Sequence, residues 1–159
     1  MKFSDDLFDE RHDVVFPTGL GILCAIASAA ATLYSTEAAY IFLAILIGNL
    51  IALKIDGVHH IVTVILYIVI CLVFGFPELS LTILLICILS ALMDEVGHET
   101  IPKVTENRFL NLFFEYRFVM KIVIGLLAVC GVFNILIFVC FILFELSYVT
   151  AGVVFEKNS

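Results

Sequence analysis

The sequence predicts an all-α, polytopic transmembrane helical bundle of five spans, with six as the alternative, and with its N-terminus on the cytoplasmic side of the cell membrane. Three observations predict it. Of 159 residues, 63% are hydrophobic and only 14% charged, with mean hydropathy +1.19, whereas a soluble domain carries about 25% charged residues. The apolar residues fall in long runs, near the length needed to cross a ~30 Å hydrocarbon core. The basic residues gather at one side of those runs, the asymmetry that orients membrane proteins.

Residues 1–13 precede the first run and are expected as an acidic cytoplasmic tail. Asp5, Asp6, Asp9, Glu10 and Asp13 there contribute to a net charge of −7. Such a segment repels nucleic acid, so no nucleic-acid partner is expected, and it lacks the basic start of a cleaved signal peptide. The spans follow at about 14–33, 38–54, 60–75, 78–94 and 118–144. They form one membrane domain over 14–155 and leave 156–159 as a C-terminal tail. Pro77 suits the first turn of the fourth span, where a missing N–H costs nothing. Between the fourth and last spans lies a polar cytoplasmic segment, 98–117, in which Thr105 is expected to cap the start of a helix.

The last run reads as one helix over Ile122–Phe144 or as two broken at Gly131-Val132-Phe133-Asn134. One helix is expected. Two would draw Glu115, Arg117 and Lys121 into the bilayer and put Glu145 near its centre, at a cost of at least ~2.5 kcal/mol unless it is paired. With the N-terminus inside, Lys2, Arg11, Lys54, Lys103, Arg108, Arg117 and Lys121 share the cytoplasmic side. Lys157 lies outside only if the last run is a single helix. Cys24, Cys71, Cys87, Cys130 and Cys140 all stand in apolar runs without CxxC spacing, and read as apolar filler.

Residues able to carry chemistry gather at two cytoplasmic helix ends. One reads Lys54-Ile-Asp56-Gly-Val-His59-His60 and the other Met93-Asp94-Glu95-Val-Gly-His98-Glu99. Each contains Asp-x-x-x-His, which puts both side chains on one face where the helix persists. The matching motifs suggest a weak duplication of the first two helices onto the next two. Asn49 and Ser90 extend each motif as a polar stripe. Imidazole beside carboxylate suits a divalent metal, Zn, Mn or Fe rather than Mg. The expected ligands are Asp56, His59, His60, Asp94, Glu95, His98 and Glu99, with Asp94, Glu95 and His98 as catalytic groups. Glu95-x-x-His98 also has the spacing of di-metal carboxylate centres in bundles.

Asn49, Lys54, Arg108, Arg117 and Lys121 are expected to bind a phosphorylated substrate; the competing role for the basic residues is snorkelling to headgroups. Phe109, Phe113, Phe114, Tyr116 and Phe118 read as an interfacial aromatic belt. Together these residues point to a metal-dependent enzyme acting on a phosphorylated or isoprenoid lipid, with membrane lipid as partner and a homo-oligomer allowed. The alternatives are a divalent-metal carrier or sensor, and a non-catalytic structural membrane protein. The outer halves of the second and fourth spans offer an ion almost no ligands, which weighs against a carrier. No Walker, GxSxG, GxGxxG or HExxH motif is present; His98-Glu99 begins like the last, but residue 102 is Pro.

Overall fold

The computed structural model describes residues 15–55 and 57–158, without the side chains of Val15, Phe16, His59 and residues 151–158. The acidic segment 1–13, Asp56 and the side chain of His59 thus lie outside the described residues. Those described form seven helices and no strand: α1 Val15–Tyr34, α2 Thr36–Ile51, α3 Val58–Phe74, α4 Leu81–Val104, α5 Arg108–Glu115, α6 Phe118–Val129 and α7 Ile135–Asn158. Two stretches, Pro17–Tyr34 and Leu81–Val104, are long and apolar enough to cross a membrane.

Local chemistry sets most of the boundaries. Ser35 caps α2 by accepting the Ala38 N–H at 3.2 Å, while its hydroxyl donates to Glu37 at 2.7 Å. Asn107, not Thr105, caps α5: its Oδ1 accepts from Phe109 at 3.0 Å and Leu110 at 3.4 Å. Thr105 Oγ1 accepts instead from the Asn107 N–H. Helix α4 begins at Leu81 rather than at about residue 78, as expected for the fourth span: the Ser80 N–H is drawn 2.6 Å from the Tyr40 hydroxyl and residues 75–80 stay non-helical. From there α4 runs without interruption past the expected end of the span to Val104.

The last apolar run is two helices, and the expectation of a single helix over Ile122–Phe144 is corrected. Gly131 adopts φ +73°, a conformation natural to glycine. Its N–H reaches the Ala128 carbonyl at 3.1 Å and the Val132 N–H reaches Leu127 at 2.9 Å, the paired bonds of a Schellman helix ending. Asn134 then starts α7 by accepting the Leu136 N–H at 2.9 Å. A stop signal and a start signal thus stand side by side in hydrophobic sequence.

A second correction concerns the first histidine motif. Helix α2 ends at Ile51 and α3 begins at Val58, so His59 and His60 belong to the first turn of α3. Asp94 and His98 of the second motif do lie on one continuous helix, α4.

In space, α1 packs mainly on α3 and also on α2, α2 packs on α4, and α4 packs on α6; α7 rests chiefly on α6, and α5 lies against α4. Gly48 lets α2 and α4 approach closely. A Cβ there would stand 3.0 Å from that of Ala91 and 3.2 Å from the Leu92 nitrogen, the role small residues take between apolar helices. Between α1 and α3 the buried contacts are Ala25, Ala29, Tyr67 and Cys71, with Thr32 and Tyr67 hydroxyls 2.9 Å apart.

Helix α5 is seated by Gly97, where a Cβ would fall 2.0 Å from the ring of Phe114. Gly97→Ala should therefore lower stability by about 1–3 kcal/mol through overpacking. Thermal denaturation should show Phe114→Leu recovering part of that loss in the double variant, since the two residues share one space. Strictly additive losses would refute this contact.

Candidate functional site

The site grows from the start of α6. A helix N-terminus presents N–H groups with no intrahelical acceptor. Here the residue before the helix, Arg117, is left-handed at φ 50° and ψ 55° and supplies no side-chain cap. The cap comes from another helix. Asp94 on α4 accepts the Val119 N–H at 3.0 Å and the Met120 N–H at 2.7 Å, one on each carboxylate oxygen. These are the second and third residues of α6, the groups an ordinary N-cap side chain serves. The negative charge also faces the positive end of the helix dipole.

Two ion pairs flank this cap. Arg117 Nη2 lies 2.8 Å from Glu95 Oε1, and its guanidinium sits 5.3 Å from the centre of the Tyr148 ring on α7. Burial works against its charge, but Tyr148, Glu95, Glu145 and Asp94 together outweigh it and hold the guanidinium above its ordinary pKa. Lys121 Nζ lies 2.9 Å from Glu145 Oε2 on α7. It also donates to the carbonyls of Tyr116 and Arg117 at the α5–α6 corner. Asp94, Glu95 and Glu145 are 2%, 5% and 9% exposed. Each buried carboxylate therefore has its own donor: a helix end, an arginine and a lysine.

One turn further along α4 lies a wetter cluster. Lys54, just beyond α2, reaches Glu99 at 3.2 Å, and Lys103 approaches the same carboxylate at 3.6 Å. This brings the segment after α2 to the last turns of α4. His98 is exposed there, within the field of Arg117, Glu95, Lys54 and Glu115. His60 is half-buried at the start of α3, and Arg108 is exposed at the start of α5.

Asp94, Glu95, Arg117 and Lys121, all expected at the site, thus come together, and Lys54 and Glu99 meet beside them. The polar stripe turns inward on its own helices: Asn49 donates to the Ile45 carbonyl at 2.9 Å and Ser90 to that of Cys87 at 2.8 Å. Among the described residues, no three His, Cys, Asp or Glu side chains are gathered as a ligand set. Glu145 and Tyr148 were not foreseen as members of the network. The signal for Glu145 was present, since Lys121 and Glu145 stand at about equal distances on either side of Gly131–Asn134, the positions that meet when such a run folds into a hairpin.

No family model matches the chain, and neither a curated protein nor a solved structure matches it.

Removing one member of a buried pair leaves an uncompensated charge, whereas replacing both with apolar residues of similar size is often close to neutral. Lys121→Met and Glu145→Leu should each cost about 3–5 kcal/mol, and the double variant much less. Thermal denaturation of the four proteins under one set of solution conditions checks this. Losses that simply add would show that the pair carries no coupling.

Proposed function

We propose that this chain is a six-pass integral membrane protein, with α5 not crossing, and that it serves as a non-catalytic helical component of the membrane. One observation carries the membrane reading: the polarity of the molecule is inverted. Asp94, Glu95 and Glu145 are buried, while Leu72 and Leu143 are 67% and 60% exposed, and Leu23, Ile65, Leu89 and Ile135 are exposed with them. Water would penalise that surface, whereas hydrocarbon tolerates it and drives charges inward to their partners.

The α6–α7 hairpin supports six passes over five. It returns the chain to the side on which α4 ends, and Lys157 then joins the other basic residues on the cytoplasmic face. The non-catalytic reading rests on how the carboxylates of α4 are used. Both oxygens of Asp94 are engaged by backbone N–H groups, and Glu95 is held by Arg117. Arg117 and Lys121, expected to hold a phosphate, are likewise committed to protein partners.

A second reading has its own support. The Lys54–Glu99 contact brings the ends of the two histidine motifs toward each other. A metal-dependent lipid enzyme would accordingly draw its ligands from His98, Glu99 and His60, with Asp56 and His59, rather than from Asp94.

Reporter fusions or cysteine labelling at Lys103 and Ser159 should both report the cytoplasmic side. An external Ser159 would restore five passes, and an external Lys103 would overturn the orientation. Asp94→Ala should destabilise the protein equally with and without added Zn²⁺ or Mn²⁺. Metal that stabilises the parent protein by mass action, and no longer does so in His98→Ala, would instead establish the enzyme or carrier readings over the non-catalytic one.

A further inference from the structure

We propose that α5 lies in the plane of the membrane, its outer face embedded at the boundary between headgroups and acyl chains of the cytoplasmic leaflet. This rests on the membrane reading above and adds to it a helix that binds the bilayer surface without crossing. At 8 residues, α5 is about 12 Å long, far too short to cross. It is nonetheless strongly two-faced. One face is taken up by the protein, with Phe114 over Gly97 and the Asn111 amide donating to the Thr105 carbonyl at 3.3 Å. The other presents Phe109, 72% exposed, with Leu112 and Tyr116.

These side chains do not form an isolated patch. The Phe113 ring stacks on that of Phe118 at 5.5 Å and contacts Phe109 at 6.3 Å, so the α5 face runs into the start of α6. It continues there with exposed Phe118 and Ile122, and across the α4–α5 turn with Val104. The occupant of this face is the one that covers the apolar flanks of α4 and α6, namely lipid. Depth is set by the polar neighbours. Glu106, Asn107 and Arg108 are exposed at one end of α5 and Glu115 at the other, which keeps the helix at the interface rather than in the hydrocarbon.

Charge narrows the lipid class. Lys103 and Arg108 near this face are balanced by Glu106 and Glu115, and Lys103 also pairs with Glu99. No excess positive charge is left to select anionic headgroups. Apolar burial drives the contact, so a zwitterionic phospholipid suffices.

The sequence contains no tryptophan, so a single introduced one reports its own surroundings. The full-length protein would be reconstituted in phosphatidylcholine vesicles carrying bromine either high or low on the acyl chain. Phe109→Trp should emit blue-shifted light and be quenched more by the shallow bromines. Leu89→Trp, on the exposed flank of α4, should be quenched more by the deep ones, and Glu106→Trp should resemble a water-exposed indole. Leu112→Trp serves as a second probe of the same face should Phe109→Trp fail to fold. Water-like, unquenched emission from the α5 probes with Leu89→Trp still quenched would overturn this inference alone. An unquenched Leu89→Trp would overturn the membrane reading itself. Replacing part of the lipid with phosphatidylglycerol should leave the α5 quenching unchanged, and a marked increase would overturn the claim of charge-neutral binding.

Discussion

The contact between the Asp94 carboxylate and the first N–H groups of α6 decides where the second half of the chain can go. Without it, Val119 and Met120 would leave unpaired N–H donors, the second of them buried, at a helix start that has no side-chain cap of its own. In an apolar setting each such group costs several kcal/mol. The carboxylate is just as dependent on the contact, since at 2% exposure it has no water to fall back on. Asp94 is placed in turn by α4, which is held against α2 by the Gly48–Ala91 approach. The order of dependence therefore runs from a small-residue contact, through a buried carboxylate, to the position of a helix.

The ion pairs answer a different need. Apolar packing alone provides little to choose one register of two apolar helices over another, and in a bilayer it would provide less still, because lipid tails are as apolar as leucine. Much of α7 is apolar, Ile135 to Phe144 without a single charge, and by itself could slide along α6. Lys121–Glu145 and Arg117 against Tyr148 remove that freedom, because a shift of one turn would leave two buried charges unpaired. The desolvation of these groups offsets much of their attraction, so their net contribution to stability is small beside their effect on register. A polar residue that fixes register at little gain in stability has a parallel in the single buried asparagines of coiled coils.

This division explains what could be read from the sequence. Helical class and the gathering of ionisable residues at the end of α4 follow from hydropathy and charge, and Asp94, Glu95, Arg117 and Lys121 were all recognisable as a group. How they pair, Asp94 with the start of α6, Glu95 with Arg117 and Lys121 with Glu145, was not, because pairing is a property of the tertiary arrangement. The same gap produced the wrong reading of the last run. The break at Gly131 and Asn134 carries both a helix stop and a helix start, yet a single helix is the expectation because two would draw Glu115, Arg117 and Lys121 into the bilayer and leave Glu145 near its centre. Supplying Lys121 as its partner reverses that balance. The smaller misplacements have the same origin. The start of α4 depends on the Tyr40 hydroxyl, and Thr105 and Asn107 are both good caps that local sequence cannot rank.

Carboxylates, imidazoles and basic side chains at one end of a bundle serve catalysis or architecture with the same vocabulary, and the difference lies in which valences remain open. Each oxygen of Asp94 already accepts one backbone N–H, and Glu95 and Glu145 each face a cation, whereas His98 stands at the exposed rim of α4. Structural commitment thus falls from the centre of the cluster outward. Helix α5 joins the cluster at the α5–α6 corner. Lys121 holds the Tyr116 and Arg117 carbonyls and Glu145, Arg117 holds Glu95, and Phe114 holds Gly97 one turn away. A movement of α5 along or out of its seat would strain each of these contacts together. Helix α5 and the buried network therefore form one connected set of contacts.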